Sequence, residues 1–186
     1  MNTPIDISNI TLTTQRLTLR PWRLTDVDDL YEYASVDGVG QMAGWKPHEN
    51  KEESLDILHC FIDGKKTFAL EYEGKVIGSL GIETYNEEKF PEFADKRCRE
   101  IGYVLSKDYW GRGLMPEAVK RVIRYLCEEV GLDVIFCGHF MSNPQSARVQ
   151  AKCGFHHYAF GTYETKFGTV EEDEMTVLYR EEYRKK

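Results

Sequence analysis

The chain has 186 residues, and its 24 Lys and Arg against 31 Asp and Glu give a net charge of −7 at pH 7. The 41% hydrophobic content predicts one globular domain over residues 1–186 and excludes a disordered or low-complexity protein. No apolar run approaches the roughly 20 residues of a membrane-spanning helix, and the acidic charge argues against general nucleic-acid binding.

The first elements of the chain are predicted to be a strand and two helices. Residues 17–21 indicate the strand, and Thr25 with Asp28 looks like a capping pair that begins the first helix. The second helix is expected over residues 50–64, with Asn50 as its cap. Between the helices lies a glycine-rich loop that carries Trp45.

A hairpin and a third strand are expected next. Residues 68–72 and 76–82 alternate around the two-residue turn Glu73-Gly74, which is typical of two antiparallel strands. Residues 85–97 are rich in charge and contain a proline, so they predict a surface loop before a strand over residues 99–105.

The second half of the chain begins with its strongest helix pattern. Apolar residues recur at helical spacing from Leu114 to Val130, and Gly131 follows. A buried strand is expected over residues 134–140, and a short helix begins at Asn143-Pro144 and ends at Gly154.

Two last strands are expected over residues 155–163 and 175–180, around the turn at residues 166–168. The resulting order of strands and helices is typical of an α/β fold.

The charges are unevenly distributed along the chain. Residues 97–152 carry nine Lys and Arg against six Asp and Glu, which is +3 and leaves −10 for the rest. An anionic ligand is therefore expected in this central segment, and a cationic one elsewhere.

Two glycines separate the strand at 99–105 from the long helix. Gly111 and Gly113 allow a ligand to approach the backbone, and the first amides of a helix lack partners, so this turn can bind a diphosphate. A plain connection is the alternative. No Gly-Lys-Ser/Thr follows, so the turn is not a P-loop.

Two stretches carry a family resemblance: 103–118, with Gly-Arg-Gly-Leu-Met-Pro-Glu-Ala, and 143–155, with Asn-Pro-Gln-Ser and Lys-Cys-Gly-Phe. Together they resemble the GNAT superfamily of acetyl-coenzyme A-dependent N-acetyltransferases, closest to its ribosomal-protein (RimJ/RimL-like) branch. Residues 15–20 and 99–103 are also similar to that branch, and the resemblance extends from Leu12 to Leu178.

The resemblance implies a fold and a coenzyme site. The fold is a mixed, mostly antiparallel sheet of about seven strands with about four helices, and a V-shaped opening between strands 99–105 and 134–140. Acetyl-coenzyme A is the implied cosubstrate, without a metal, its diphosphate on the amides of the glycine turn and its pantetheine arm along the strand. The coenzyme-binding residues implied in this way are Tyr103, Val104, Leu105, Gly111, Arg112, Gly113, Leu114, Met115 and Asn143.

The resemblance also suggests catalytic residues. Glu100, on the strand that leads to the coenzyme site, is the candidate base for the amine, and its structural alternative is an ion pair with Arg97 or Arg99. Many members carry a tyrosine acid where this chain has Gln150, so Ser146, close to the thioester sulfur, becomes the candidate acid. Its alternative is a serine that satisfies backbone amides.

Trp45 is the candidate acceptor-pocket residue, or a packing aromatic. No metal-ligand spacing links the cysteines and histidines, and the odd number of cysteines without a Cys-x-x-Cys pair is typical of a cytoplasmic protein. The expected function is transfer of an acetyl group to a protein N-terminal amine or a small-molecule amine. A non-catalytic coenzyme A sensor on the same fold is the alternative. The sequence leaves the oligomeric state open, and a homodimer is one option because dimers are frequent in families that look like this.

Overall fold

A computed structural model describes residues 1–183, which form eight strands and five helices around one sheet. The elements in chain order are β1 (Leu12–Thr13), β2 (Leu17–Pro21), α1 (Val27–Ala34), α2 (Lys51–Gly64), β3 (Thr67–Tyr72), β4 (Lys75–Glu83), β5 (Cys98–Leu105), α3 (Leu114–Tyr125), β6 (Val134–Phe140), α4 (Pro144–Cys153), β7 (His156–Glu164), β8 (Val170–Tyr179) and α5 (Arg180–Tyr183). The predicted α/β class is confirmed. The extra strand is the two-residue β1, too short to give an alternating pattern, and the extra helix is the four-residue α5.

The sheet has the strand order β1-β2-β3-β4-β5-β6-β8-β7. All neighbours are antiparallel except β5 and β6, which α3 connects as a crossover. The parallel pairing joins Cys98 to Val134 and ends where Glu100 meets Phe136. Beyond this point the two strands separate, so the expected V-shaped opening lies between their carboxyl ends.

Helices cover both faces of the sheet, because successive strand residues point to opposite sides. Phe68 and Leu70 of β3 belong to a core cluster with α3, which presents Val119 and Val122. The intervening Ala69 belongs to a second cluster, under α1 and α2. Helix α3 continues through a π-helical turn to Gly131, whose φ of 76° ends it as predicted.

The start of α1 differs from the predicted capping pair. Asp26, and not Thr25, is the residue before the helix. Its carboxylate accepts a hydrogen bond from the Arg23 backbone N–H at 2.8 Å and forms a buried ion pair with Arg20. A short 3₁₀ turn over Leu24–Asp26 therefore precedes the helix, and the Asp26 carboxylate caps this turn. The second helix begins as predicted, because the Asn50 side chain accepts from the Glu53 N–H at 2.9 Å.

The segment at residues 84–97 is a loop at the surface, as predicted for residues 85–97, but its aromatic residues turn inward. Tyr85, Phe90 and Phe93 are buried against Phe136 of β6 and Tyr158 of β7. The aromatic residues turn inward while the charged residues between them remain exposed. We refer to these five residues as the aromatic cluster. It packs beside the short parallel pairing of β5 with β6.

Candidate active site

The turn between β5 and α3 leaves its backbone open. Gly111 and Gly113 have φ values of 76° and 75°, a region that glycine adopts without strain. A Cβ at Gly111 would have no atom within 4 Å, and at Gly113 it would meet only Arg16 Nη2 at 3.7 Å. The Trp110 indole donates to the Leu105 carbonyl at 2.8 Å and fastens the turn to the strand. The turn is therefore held in place while its amides face open space.

A cavity of about 230 Å³ lies beside this turn. It is bounded by the end of β5, the start of α3, the first turns of α4 and the loop after α1. The residues predicted from the sequence that line it are Tyr103, Val104, Leu105, Gly111, Gly113, Leu114, Met115, Asn143 and Ser146. The fold thus brings nine of the predicted residues to one opening.

The charge around the cavity suits an anionic ligand. Arg148 and Lys152 of α4 line it, and neither forms an ion pair within residues 1–183. Arg112 does not line it: its guanidinium lies 4.9 Å from the Tyr109 ring centre, and its carbonyl accepts from Arg16 Nη1 at 3.0 Å. The open glycine turn, the free helix amides and the two basic side chains fit the diphosphate of coenzyme A.

Trp45 does not line the cavity either. Its ring packs directly on Gly40 and lies 5.2 Å from the His48 ring. The same loop instead contributes Met42 and Ala43 to the cavity, and the Met42 carbonyl accepts from Asn143 Nδ2 at 3.4 Å. The contact between Trp45 and the acceptor stays a prediction.

Glu100 does not line the cavity, although it lies on the same face of β5 as Val104, which does. Strand alternation places it on the same face as Gly102, which is exposed and where a Cβ would have no neighbour within 4 Å. The carboxylate has no hydrogen bond or ion pair within the described part of the chain, and Oε1 is 3.7 Å from the Cβ position of Gly138. Glu100 is therefore an unpaired carboxylate beside an opening in the sheet.

The structure does not support the ion pair that was the alternative role of Glu100. Arg99 Nε donates to the Thr3 carbonyl at 2.5 Å, and Arg97 Nη2 donates to the Val130 carbonyl at 2.7 Å. Both guanidinium groups are thus directed elsewhere.

The pKa of Glu100 is raised to about 7, mainly because burial disfavours the charged form. The negative charges of Glu83, directly across on β4, and of Asp173 raise this pKa as well. The nearby Lys89 lowers it. A carboxyl with a pKa near neutrality is suited to accept a proton from an ammonium group.

Ser146 is part of a hydrogen-bond group at the cavity wall. Its Oγ lies 2.9 Å from the Tyr103 hydroxyl and 3.3 Å from Gln150 Nε2. Its backbone N–H donates to Asn143 Oδ1 at 3.1 Å, so the asparagine side chain caps α4. The serine side chain is therefore not needed to cap the helix. The alternative of a serine that satisfies backbone amides is therefore not seen.

Three side chains that had no role in the predicted site stand close to it. The Tyr103 side chain touches Ser146, although only its backbone was expected to matter. Gln150 is buried behind Ser146, and Asp173 shares the sheet face of Glu100.

Two histidines and one cysteine that were considered as metal ligands or nucleophiles have other surroundings. His156 and His157 contact Glu182 and Glu174, and burial raises the pKa of the Cys137 thiol. Residues 1–183 contain no cluster of three side chains arranged to hold a metal ion. None of the helices in the described chain is both long and apolar enough to cross a membrane.

Comparison with known proteins gives one family. A family model described as an acetyltransferase (GNAT) domain matches residues 16–156. An uncharacterized N-acetyltransferase, p20 from Bacillus licheniformis, is 26% identical over 181 residues, covering 93% of this chain and 98% of that protein.

Solved structures agree in fold. The crystal structure of a GNAT-family acetyltransferase from Bacillus anthracis gives a TM-score of 0.80 at 20% identity, covering 92% of this chain and 99% of that one. Mycobacterium smegmatis RimJ in complex with CoA-disulfide gives 0.72 at 19% identity, covering 96% of this chain and 91% of that one.

Proposed function

This chain belongs to the GNAT acetyltransferase family and is an acetyl-coenzyme A-dependent N-acetyltransferase, and we propose that its acceptor is a cationic primary amine. The amine is either a protein N-terminus or a small molecule, and it attacks the thioester directly. Residues 1–186 act as one acetyltransferase domain in this proposal.

The cavity beside the glycine turn is the proposed coenzyme site. Acetyl-coenzyme A supplies the acetyl group as a thioester whose sulfur leaves as a thiolate. The backbone of residues 111–115 would hold the diphosphate, with Arg148 and Lys152 adding positive charge. Tyr103, Val104 and Leu105 would hold the pantetheine arm along the unpaired edge of β5, and Asn143 would contact it from the opposite wall.

Glu100 is the proposed base. The environment of its carboxylate is the observation that carries the proposal. Its carboxylate is partly buried and unpaired, has a pKa of about 7, and lies on the same face as exposed Gly102. Glu100 precedes Tyr103, the first cavity-lining residue of the same strand, by three positions. It can take a proton from the ammonium group, directly or through one water, and release the neutral amine for attack.

Ser146 is the proposed donor to the departing sulfur. Its hydroxyl lies in the cavity wall on the side of the sheet opposite to Glu100, since Tyr103, which it contacts, alternates with Glu100 along β5. Base and donor would therefore act from the two faces of the sheet, on either side of the opening between β5 and β6.

The charge on the face of Glu100 supports a cationic acceptor. Asp173 Oδ1 is buried without a hydrogen-bond partner in the described chain, and Glu83 stands opposite Glu100. Lys66 pairs with Glu83, and Lys89 lies near Asp173, which leaves Glu100 without a partner of its own. An ammonium group would supply one.

The test is an acceptor screen with a free-thiol readout, covering amino acids, polyamines, aminoglycosides and N-terminal peptides. The expected result is transfer to cationic amines that Glu100→Gln lowers by about 10²-fold or more near neutral pH, with unchanged coenzyme affinity. Coenzyme binding without turnover on any amine would contradict the proposal and favour the sensor alternative. Full activity of Glu100→Gln would remove the base assignment alone.

A further inference from the structure

Gln150 is one of the most deeply buried polar residues near the cavity, at 2% exposure. It lies on α4 behind Ser146 and does not line the cavity itself. Four groups surround its amide: the carbonyl of Gly138, the hydroxyls of Ser146 and Thr176, and the His139 ring. A buried amide with this many partners has a fixed orientation.

The partners determine which amide atom faces which group. The Gly138 carbonyl can only accept, so the atom 3.0 Å from it is Nε2. The second hydrogen of Nε2 is then directed at Ser146 Oγ, at 3.3 Å. Oε1 is left facing Thr176 Oγ1 at 2.9 Å and His139 Nδ1 at 3.0 Å. Gln150 is therefore a hydrogen-bond donor toward Ser146.

The Tyr103 hydroxyl is a second neighbour of Ser146. It can donate to the Ser146 carbonyl, 3.3 Å away, and in its contact with Ser146 Oγ either hydroxyl can be the donor. The Tyr103 hydroxyl is 2.9 Å from Ser146 Oγ, and burial raises the pKa of Tyr103 well above its usual range, so it keeps its proton at neutral pH. A serine hydroxyl has one hydrogen and two acceptor positions. Gln150 Nε2 occupies one acceptor position of Ser146 Oγ. When the Tyr103 hydroxyl donates to the other position, the hydrogen of Ser146 is left for the cavity.

We propose that Gln150 is a positioning residue that orients the Ser146 hydroxyl hydrogen into the cavity, toward the sulfur that leaves during acetyl transfer. This inference rests on the proposed function. It gives Gln150 a role of its own, which the presence of glutamine in place of the family's tyrosine does not by itself suggest. During transfer the bond from nitrogen to the carbonyl carbon forms, and the carbon–sulfur bond breaks with its electron pair moving to sulfur. Glu100 takes one proton from the ammonium group before attack, and the nitrogen loses a second proton to solvent as the tetrahedral intermediate collapses. Ser146 Oγ–H hydrogen-bonds to the departing sulfur, which takes its proton from solvent, so the serine keeps its own proton and one proton is released overall.

The test compares single and double variants at one site. Gln150→Met has a similar size but no donor, and we expect its kcat to fall about 10- to 100-fold, as for loss of a hydrogen bond to a charged group, with an unchanged KM for acetyl-coenzyme A. Ser146→Ala should lose a similar amount. The double variant should lose no more than Ser146→Ala alone, because Gln150 acts only through that hydroxyl.

Thr176→Val is the control, since it removes the hydroxyl that contacts Gln150 Oε1 and the Cys137 carbonyl without touching Nε2. It should lower thermal stability but keep kcat within about twofold. An equal loss of kcat in Thr176→Val, or a full further loss in the double variant, would overturn the proposal. If Gln150→Met does not fold, Gln150→Glu replaces it in the test. We expect the same fall in kcat above neutral pH, because the new carboxylate would accept the Ser146 hydroxyl hydrogen and turn it away from the cavity.

A second readout does not need turnover. The thiol of coenzyme A bound to the protein is titrated by the ultraviolet absorbance of its thiolate. A donor aimed at the sulfur favours the charged form, so the thiol pKa should be lower in the wild-type complex than with Gln150→Met or Ser146→Ala. Identical titrations would overturn the proposal. A missing amine acceptor would instead contradict the proposed function while leaving this comparison valid.

Discussion

Replacing Glu100 by glutamine should make the protein less active and more stable at the same time. The pKa of Glu100 is about 7 in the folded chain against an ordinary value of 4.5, so the folded state holds this proton more tightly than the unfolded chain does. A carboxyl with a raised pKa costs stability once it ionises: wild-type stability falls as the pH rises from about 4.5 to about 7.

The expected magnitude follows from the size of the pKa difference. About 2.5 pKa units correspond to about 3 kcal/mol when the pH is above both values, and a small part of this is already lost at pH 5. The change in unfolding free energy caused by Glu100→Gln should therefore be about 2 kcal/mol more favourable at pH 8 than at pH 5.

Urea unfolding followed by circular dichroism at pH 5 and pH 8 measures this difference. Glu88→Gln, in the exposed part of the preceding loop, controls for the loss of one surface charge. Acetyl transfer measured on the same preparations should fall by about 10²-fold or more for Glu100→Gln near neutral pH. An equal effect of Glu100→Gln on stability at both pH values would refute the reasoning, because the carboxylate would then be solvated or paired, and its role as base would lose its physical support.

Three further outcomes are expected. The acid limb of the pH profile of kcat/KM should move to lower pH in Asp173→Asn, because the Asp173 charge raises the pKa of Glu100, and to higher pH in Lys89→Gln, because Lys89 lowers it. Calorimetric titration should find that Gly113→Leu weakens acetyl-coenzyme A binding far more than Arg112→Ala, since a side chain at a φ of 75° strains the turn while Arg112 packs on a neighbouring ring; equal losses would mean that the diphosphate is bound elsewhere. Finally, kcat/KM for a cationic amine should fall as salt rises, whereas a neutral amine of the same size serves as control and should change little.

Local signals in the sequence were sufficient for much of the fold. The Glu73-Gly74 turn required two residues with positive φ, and the structure has 51° and 82° there. The Asn50 cap and the glycine that ends the long helix depend on neighbours within a few residues, so they too were predictable.

Features that depend on distant residues could not be predicted in this way. Asp173 lies in an acidic run that looks like a solvated surface, yet strand alternation in β8 buries it beside Met175. Gln150 stands out in the sequence only as the absence of a tyrosine, whereas its role depends on carbonyl and hydroxyl groups of β6 and β8. The Tyr103 side chain contacts Ser146 across 43 positions of the chain, for which no local pattern exists.

The aromatic cluster bears on how the fold opens when it partly unfolds. Within residues 1–183, the strand pairing between the two parts of the sheet, β1 to β5 and β6 to β8, consists of the three residue pairs that join Cys98–Glu100 to Val134–Phe136, so few ladder hydrogen bonds must break for them to separate. Rings from both sides of that seam interlock across it, Phe90 and Phe93 on Phe136 and Tyr158. Opening the seam would expose these rings together with unpaired strand edges while each part kept its own hydrogen bonds. Such a half-open form, rather than the fully unfolded chain, is the species from which aggregation on heating should begin, and a coenzyme bound across the opening would suppress it.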